Sequence, residues 1–403
     1  MLQRLKKIDG VIIVILLLLM CISIFSIYSV TQGREGMGGM HIRMIKYYGV
    51  GFVGFAVLMI FDYRLLVKYA LFIYIIGIGI LLMVSFFGKV KNGGQGWIGV
   101  GELSFQPAEL FKLILIIFLA AVLVRKNKNQ LLFWRDVVPL SLIALVPFLL
   151  VISQNDLGNA LSYLIILLGV LWIGHIKFSH ALIGLLIIGG SATGFILTYI
   201  NYHDQAVVFI KETLGRDHFI RRFDPWLVPD VASKDASYQT RNAKIAIASG
   251  GMNGEGYLEG SSVQNNMVPY LYSESIFVQI AEEFGFVGSA VLLLLYFILI
   301  HRLILIALVS RDRAGPFLIV GIVAMLLYQI LENIGAYIGL MPLTGITLPF
   351  ISYGGTSILI NMASMGIAMS VLLYGQDMEE DLPMLAAPSA PAGKLSSMIP
   401  FAK

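Results

Sequence analysis

Charge is scarce in this chain. Only 13% of its 403 residues are Asp, Glu, Lys or Arg, against roughly 25% in an ordinary soluble domain. Cysteine is nearly absent as well. Cys21 stands alone, so no disulfide framework exists within the chain and the redox compartment leaves no mark. No internal repeat, heptad or Walker-type glycine loop is found, which sets aside solenoids, coiled coils and P-loop nucleotide chemistry. The formal net charge of +4 comes from flanking loops and points to anionic membrane lipids, with no nucleic acid partner. What is abundant is apolar: 58% of the residues, with a mean hydropathy of +0.85. A soluble fold of this length could not hide that much apolar surface. The composition therefore predicts an all-α polytopic membrane protein, since an isolated apolar run satisfies its backbone in lipid only as a helix.

Hydropathy predicts ten spans, at 11–30, 45–61, 67–87, 108–124, 137–152, 157–173, 181–200, 276–308, 317–340 and 358–373. The first follows Arg4, Lys6 and Lys7, is too long for a signal-peptide core and lacks a cleavage site, so it reads as a retained anchor. Fifteen lysines and arginines fall in the tails and short loops of one side, and only Arg34, Arg43, Lys46, Lys89 and Lys91 on the other. The positive-inside rule then puts both termini in the cytoplasm and the segment 201–275 outside. A single membrane domain covers 1–374, with 201–275 as a large extracytoplasmic loop before the eighth span. The remainder, 375–403, with Pro383, Pro388 and Pro391, reads as a disordered cytoplasmic tail. As one helix the eighth run would reach roughly 50 Å against a hydrocarbon core of about 30 Å. Its first turns, with Glu282 and Glu283, are thus expected in the outer interface or lining a cavity.

The polar residues gather on the outer side, so a site would open outward or sideways into the outer leaflet. Glu274 heads the eighth run, where a carboxylate is costly unless it is paired or used. It is either a helix-cap acid or a working group. In Gln106-Pro107-Ala108-Glu109-Leu110-Phe111-Lys112 the proline suits a first helical turn, and Glu109 and Lys112 share a face. They form either a structural ion pair or the lining of a headgroup cavity in which Lys112 receives a phosphate. Asp156, in Asn155-Asp156-Leu157-Gly158, is placed to cap the sixth span. Arg221, Arg222, Arg241 and Lys244 make the long loop basic; they are either ordinary solvated charges or, beside a membrane cavity, a set that gathers a pyrophosphate. Gly250, Gly251, Gly254 and Gly256 fit either a plain re-entrant turn or a nest of backbone N–H groups facing an anion. The run from Leu348 to Ser357, dense in Pro and Gly, implies ordered non-helical backbone, tolerated at membrane depth only when surrounded by protein or water. Glu332 and Asn333, polar in mid-span, are expected to face the bundle as packing or partner contacts.

In this order the segments resemble the SEDS family, which includes FtsW, RodA and SpoVE. The resemblance rests on Trp97-Ile98, Gln106-Pro107-x-Glu109-x-x-Lys112, Asp156-Leu157-Gly158, Asp224-Pro225-Trp226, Ser249-Gly250-Gly251 and Pro349-Phe350-Ile351-Ser352-Tyr353-Gly354-Gly355, and spans nearly the whole chain. It implies a ten-span fold and a peptidoglycan glycosyltransferase that polymerises lipid II beside a class B penicillin-binding protein. It also implies that Glu274 is the catalytic carboxylate, and that Trp97, Glu109, Lys112, Asp156, Arg221, Arg222, Lys244, Ser352 and Tyr353 bind substrate. No cofactor is required by the resemblance, and dependence on a divalent cation is left open. The chain departs from the family's pattern at Gly96, usually arginine, at Asn155, usually proline, at Tyr270, usually glutamate, and at Glu274, usually aspartate. Those departures keep open a second reading, a scaffold or regulator of the penicillin-binding protein. A lipid II flippase is a third, which the lack of repeats disfavours.

Overall fold

The computed structural model describes residues 7–91, 94–100, 103–126, 130–213, 215 and 217–375. The tail expected beyond Gly375 lies outside the described residues. The chain begins with α1 Gly10–Thr31, α2 Met40–Ile60, the short α3 Tyr63–Lys68 and α4 Ala70–Phe87. Three short strands follow, β1 Lys89–Lys91, β2 Gly94–Val100 and β3 Leu103–Phe105, paired antiparallel in that order. Next come α5 Pro107–Val124, α6 Val138–Ser153, α7 Leu157–Ile173 and α8 Phe178–Asn201. The segment read as a loop then folds largely into helices: α9 His203–Val208, α10 Asp217–Leu227, α11 Lys234–Ser249 and α12 Ser261–Gln264. The chain closes with α13 Ile276–Val309, α14 Ala314–Ile338 and α15 Gly355–Tyr374. Among the described residues nine helices are long and apolar enough to cross a membrane, α6 being counted with the π-helical turn Phe133–Val137 that leads into it, and α7, also apolar, is 17 residues long. All ten expected runs are therefore helical in this multi-pass membrane protein. The second starts at Met40 rather than residue 45 and so takes in Arg43.

Helices α5, α14 and α15 form the centre of the bundle, buried along most of their lengths. Small residues let their neighbours approach, as expected where lipid gives no hydrophobic drive to association. A Cβ on Gly366 of α15 would meet the Phe55 carbonyl of α2 at 2.7 Å, and one on Gly321 of α14 would meet Ile116 of α5 at 2.7 Å. Helix α8 is the opposite case, with Tyr199 its only buried residue among those described. The irregular backbone between α14 and α15 is enclosed as its composition demanded. Tyr296 donates to the Pro349 carbonyl at 2.5 Å, Ser23 to Ile351 at 2.6 Å, and Tyr48 to Phe350.

Two expectations are corrected along α13. The helix is not straight: Gly285, at φ +64° and ψ −158°, breaks it. Glu282 and Glu283 precede the break, are buried, and do not line the cavity. Glu282 accepts from the backbone N–H groups of Ser262 (2.7 Å) and Val263 (3.1 Å) at the start of α12, while Glu283 accepts from Ser29 and Gln279. The glycine cluster is not an anion nest either. The broken helix leaves carbonyls and N–H groups unpaired, and the 250–256 turn pairs them. Glu255 and Gly256 donate to the carbonyls of Glu282 (2.9 Å) and Glu283 (3.1 Å), while Phe286 and Val287 donate to Gly251 (2.9 Å) and Met252 (3.1 Å). Contact this close excludes side chains: a Cβ on Gly250 would lie 2.0 Å from the Ala281 carbonyl oxygen.

Candidate functional site

The connections after α4, α6, α8 and α14 meet at one end of the bundle and enclose a cavity of about 1010 Å³. Each is there for a local reason. The β1–β2–β3 ribbon brings Trp97 to the wall and ends in Gln106, whose successor Pro107 opens α5. Asp156 caps α7 by accepting from the Asn159 N–H (3.1 Å), and its other oxygen accepts from the side chains of Gln106 (2.8 Å) and Asn159 (2.9 Å). Helices α10 and α11 supply Arg221, Arg222 and Lys244, so three cations border the same space as Glu109, Asp156, Asp235 and Glu274.

Glu274 lies at the end of the α12–α13 connection, half-buried in the cavity wall. The Gln239 amide of α11 donates to one of its oxygens at 3.4 Å, and also to the hydroxyls of Ser275 (3.1 Å) and Tyr337 (3.2 Å). Its other oxygen rests over Gly345, where a Cβ would come within 2.7 Å. Asn333 of α14 donates to the Glu274 backbone carbonyl at 2.7 Å and to that of Ile346 at 2.7 Å. Burial pushes the Glu274 carboxyl above its ordinary range, and the Gln239 hydrogen bond and the Arg222 charge pull against that rise. Arg222 itself is oriented by donating to the Thr344 carbonyl at 3.0 Å. A carboxylate made more basic by burial, with a guanidinium bordering the same cavity, suits proton abstraction beside a developing anion.

Eight of the ten residues singled out from sequence border this cavity: Trp97, Glu109, Asp156, Arg221, Arg222, Lys244, Glu274 and Tyr353. Two do not. Lys112 is fully buried and its ammonium lies 2.8 Å from Glu109, so the arrangement matches a structural ion pair, with Glu109 alone reaching the cavity. Ser352 is buried with its hydroxyl accepting from the Leu348 N–H at 2.8 Å, where it shapes the turn that presents Tyr353. Tyr353 packs against Tyr47 and Tyr272 at centroid distances of 5.7 and 6.1 Å. Sequence reasoning missed Gln239, Thr344 and Gly345 as members of the site. A lone glutamine after Tyr238 was the one available signal for the first. Among the described residues no group of three or more His, Cys, Asp or Glu comes together as a metal site.

A family model described as cell cycle protein, FtsW/RodA/SpoVE, matches residues 4–376. Stage V sporulation protein E of Bacillus subtilis is 32% identical over 343 residues, covering 83% of this chain and 87% of its own length. Peptidoglycan glycosyltransferase MrdB of Escherichia coli is 34% identical over 337 residues, covering 82% and 84%. Among solved structures, a chain of a peptidoglycan synthase complex superposes with a TM-score of 0.73 at 25% identity, covering 93% of this chain and 99% of that one. The rod shape-determining protein RodA of Thermus thermophilus has the same fold, with a TM-score of 0.65 at 24% identity over 92% and 98% of the two chains.

Proposed function

The chain belongs to the FtsW/RodA/SpoVE family of cell cycle proteins, and from that premise we propose that it is a peptidoglycan glycosyltransferase whose site is the cavity around Glu274. The observation that carries the reading is the placement of Glu274, half-buried beside Gln239, and of three cations around a single cavity large enough for a sugar headgroup, whose other acids are Glu109, Asp156 and Asp235. In the reaction the acceptor 4-hydroxyl gives its proton to the Glu274 carboxylate as its oxygen attacks the anomeric carbon of a lipid-pyrophosphate-linked sugar. A new glycosidic C–O bond forms, the bond to the pyrophosphate breaks, and the lipid pyrophosphate leaves with the electron pair. Arg222, with Arg221 and Lys244, would stabilise the charge that gathers on that leaving group. Trp97 and Tyr353 offer aromatic faces to the sugars. The substrate class is thus lipid II, consumed at the outer face of a membrane in which both termini are cytoplasmic.

A class B penicillin-binding protein is proposed as partner, because one similar chain comes from a complex that coordinates polymerization and crosslinking. Purified full-length chain with its transpeptidase and lipid II is expected to yield glycan polymer. Glu274→Gln should lower that rate by about 100-fold or more, the range a positioned general base supplies, while Glu274→Asp keeps measurable activity. Full activity of Glu274→Gln excludes the base assignment. Complex formation without polymer from the wild-type chain would instead support the scaffold reading, which the glutamate in place of the family's usual aspartate favours.

A further inference from the structure

Glu332 stands on α14, inside a membrane span and 3% exposed. A buried carboxylate costs several kcal/mol unless its oxygens are matched, and nothing in the proposed chemistry uses this one. Its hydrogen-bond partners among the described residues are the backbone N–H of Thr344, at 3.2 Å, and the hydroxyl of the same residue. The carbonyl of Thr344 in turn accepts from Arg222 at 3.0 Å. The next residue on the helix, Asn333, donates to Ile346 and to the Glu274 carbonyl, both at 2.7 Å. So Thr344 and Ile346 are each tied to one of two adjacent helix residues. Between them lies Gly345, at φ +84°, the residue over which the Glu274 carboxylate rests. Gly158 closes the loop from the other side: a Cβ there would meet Ile346 at 2.6 Å and the Thr344 hydroxyl at 2.8 Å.

We propose that Glu332 is a positioning residue of this site, fixing Thr344 so that Arg222 is aimed into the cavity and Gly345 is held beneath Glu274. The proposal rests on the glycosyltransferase reading only for its kinetic arm. Glu332 touches no substrate; it acts through a backbone that a rigid helix holds in register, which is how a reacting constellation stays within tolerance. A glutamine would keep both hydrogen bonds, because its amide oxygen accepts as the carboxylate does. An alanine would release the loop.

The test uses the full-length chain with its transpeptidase, lipid II for turnover, and inorganic pyrophosphate as a binding probe read by Trp97 and Trp226 fluorescence. Glu332→Gln is expected to keep kcat within about threefold, whereas Glu332→Ala lowers it about 10- to 100-fold with a smaller change in KM, the scale of an ångström-level displacement. Glu332→Ala should also weaken pyrophosphate binding about as much as Arg222→Ala does. Thr344→Val tests the same link without touching α14, and Glu332→Ala/Thr344→Val should be no worse than Glu332→Ala alone. Wild-type kcat in Glu332→Ala, equal losses for its Gln and Ala variants, or multiplicative losses in the double variant would each overturn the proposal. If the wild-type chain makes no polymer, the glycosyltransferase reading fails. The pyrophosphate arm then still decides the positioning role, and no binding by the wild type overturns that too.

Discussion

Replacing Glu274 by its amide changes one proton, and the surroundings determine when that proton is present. Burial raises the carboxyl, so a base at this position gains activity as pH climbs through a value above the usual carboxylate range. Arg222 pulls that value down, and removing it should push the limb further up. The pH–rate profile of Arg222→Ala is therefore expected to rise at higher pH than wild type, beyond any uniform loss of rate. An unshifted limb would mean that Arg222 does not act on Glu274. Lys112 illustrates the other use of a buried charge. With its ammonium 2.8 Å from Glu109 and no exposure, Lys112→Met strands a carboxylate and should cost about 3–5 kcal/mol of stability. Adding Glu109→Gln should recover much of that loss in a thermal-melting cycle, whereas a direct phosphate ligand would show its deficit in substrate binding instead. These side chains were legible in the sequence because each is an expensive charge at a membrane border. Gln239 and Thr344 were not, because their importance arises from partners 35 and 122 positions away, Glu274 and Arg222.

Elements obey a different logic, set by backbone satisfaction. The apolar runs were readable from hydropathy, since lipid leaves a lone segment no alternative to helix. The helices between α8 and α13 were not, because α10 contains Pro225 and the segment carries the polar composition of a loop. The break in α13 was misjudged for a related reason. Helix length alone gave one continuous run, but Gly285 turns the backbone and the 250–256 turn covers the gap. Gly254 is at φ +83°, and a Cβ on it would stand 2.1 Å from the Glu283 carbonyl oxygen. Gly254→Ala should therefore cost at least 2–3 kcal/mol or so, from strain and clash together. Gly184→Ala, on an α8 face with nothing within 4 Å, serves as the neutral control. Equal melting temperatures for the two variants would contradict the close packing described here.

At the scale of the whole molecule the order of spans decides which loops meet, and the cavity exists because connections far apart in sequence lie at one end. That end was identifiable from where the polar residues fall between the apolar runs, although the shape of the cavity was not. Its orientation is testable with little engineering. Cys21 is the only cysteine, so Cys21→Ser gives a thiol-free background. A cysteine introduced at Ser273, on the cavity rim, is expected to react with a membrane-impermeant maleimide in intact cells, and one at Arg311 only after the membrane is opened. The reverse pattern would invert the proposed topology. The Gly285 break carries a consequence at this scale too. Four backbone bonds are shared between the 250–256 turn and α13, so neither can be displaced alone without breaking them. The aqueous lobe and the transmembrane helix are thus one cooperative unit, and a force applied to the lobe by a bound protein would be felt as torque on the span that Glu274 introduces.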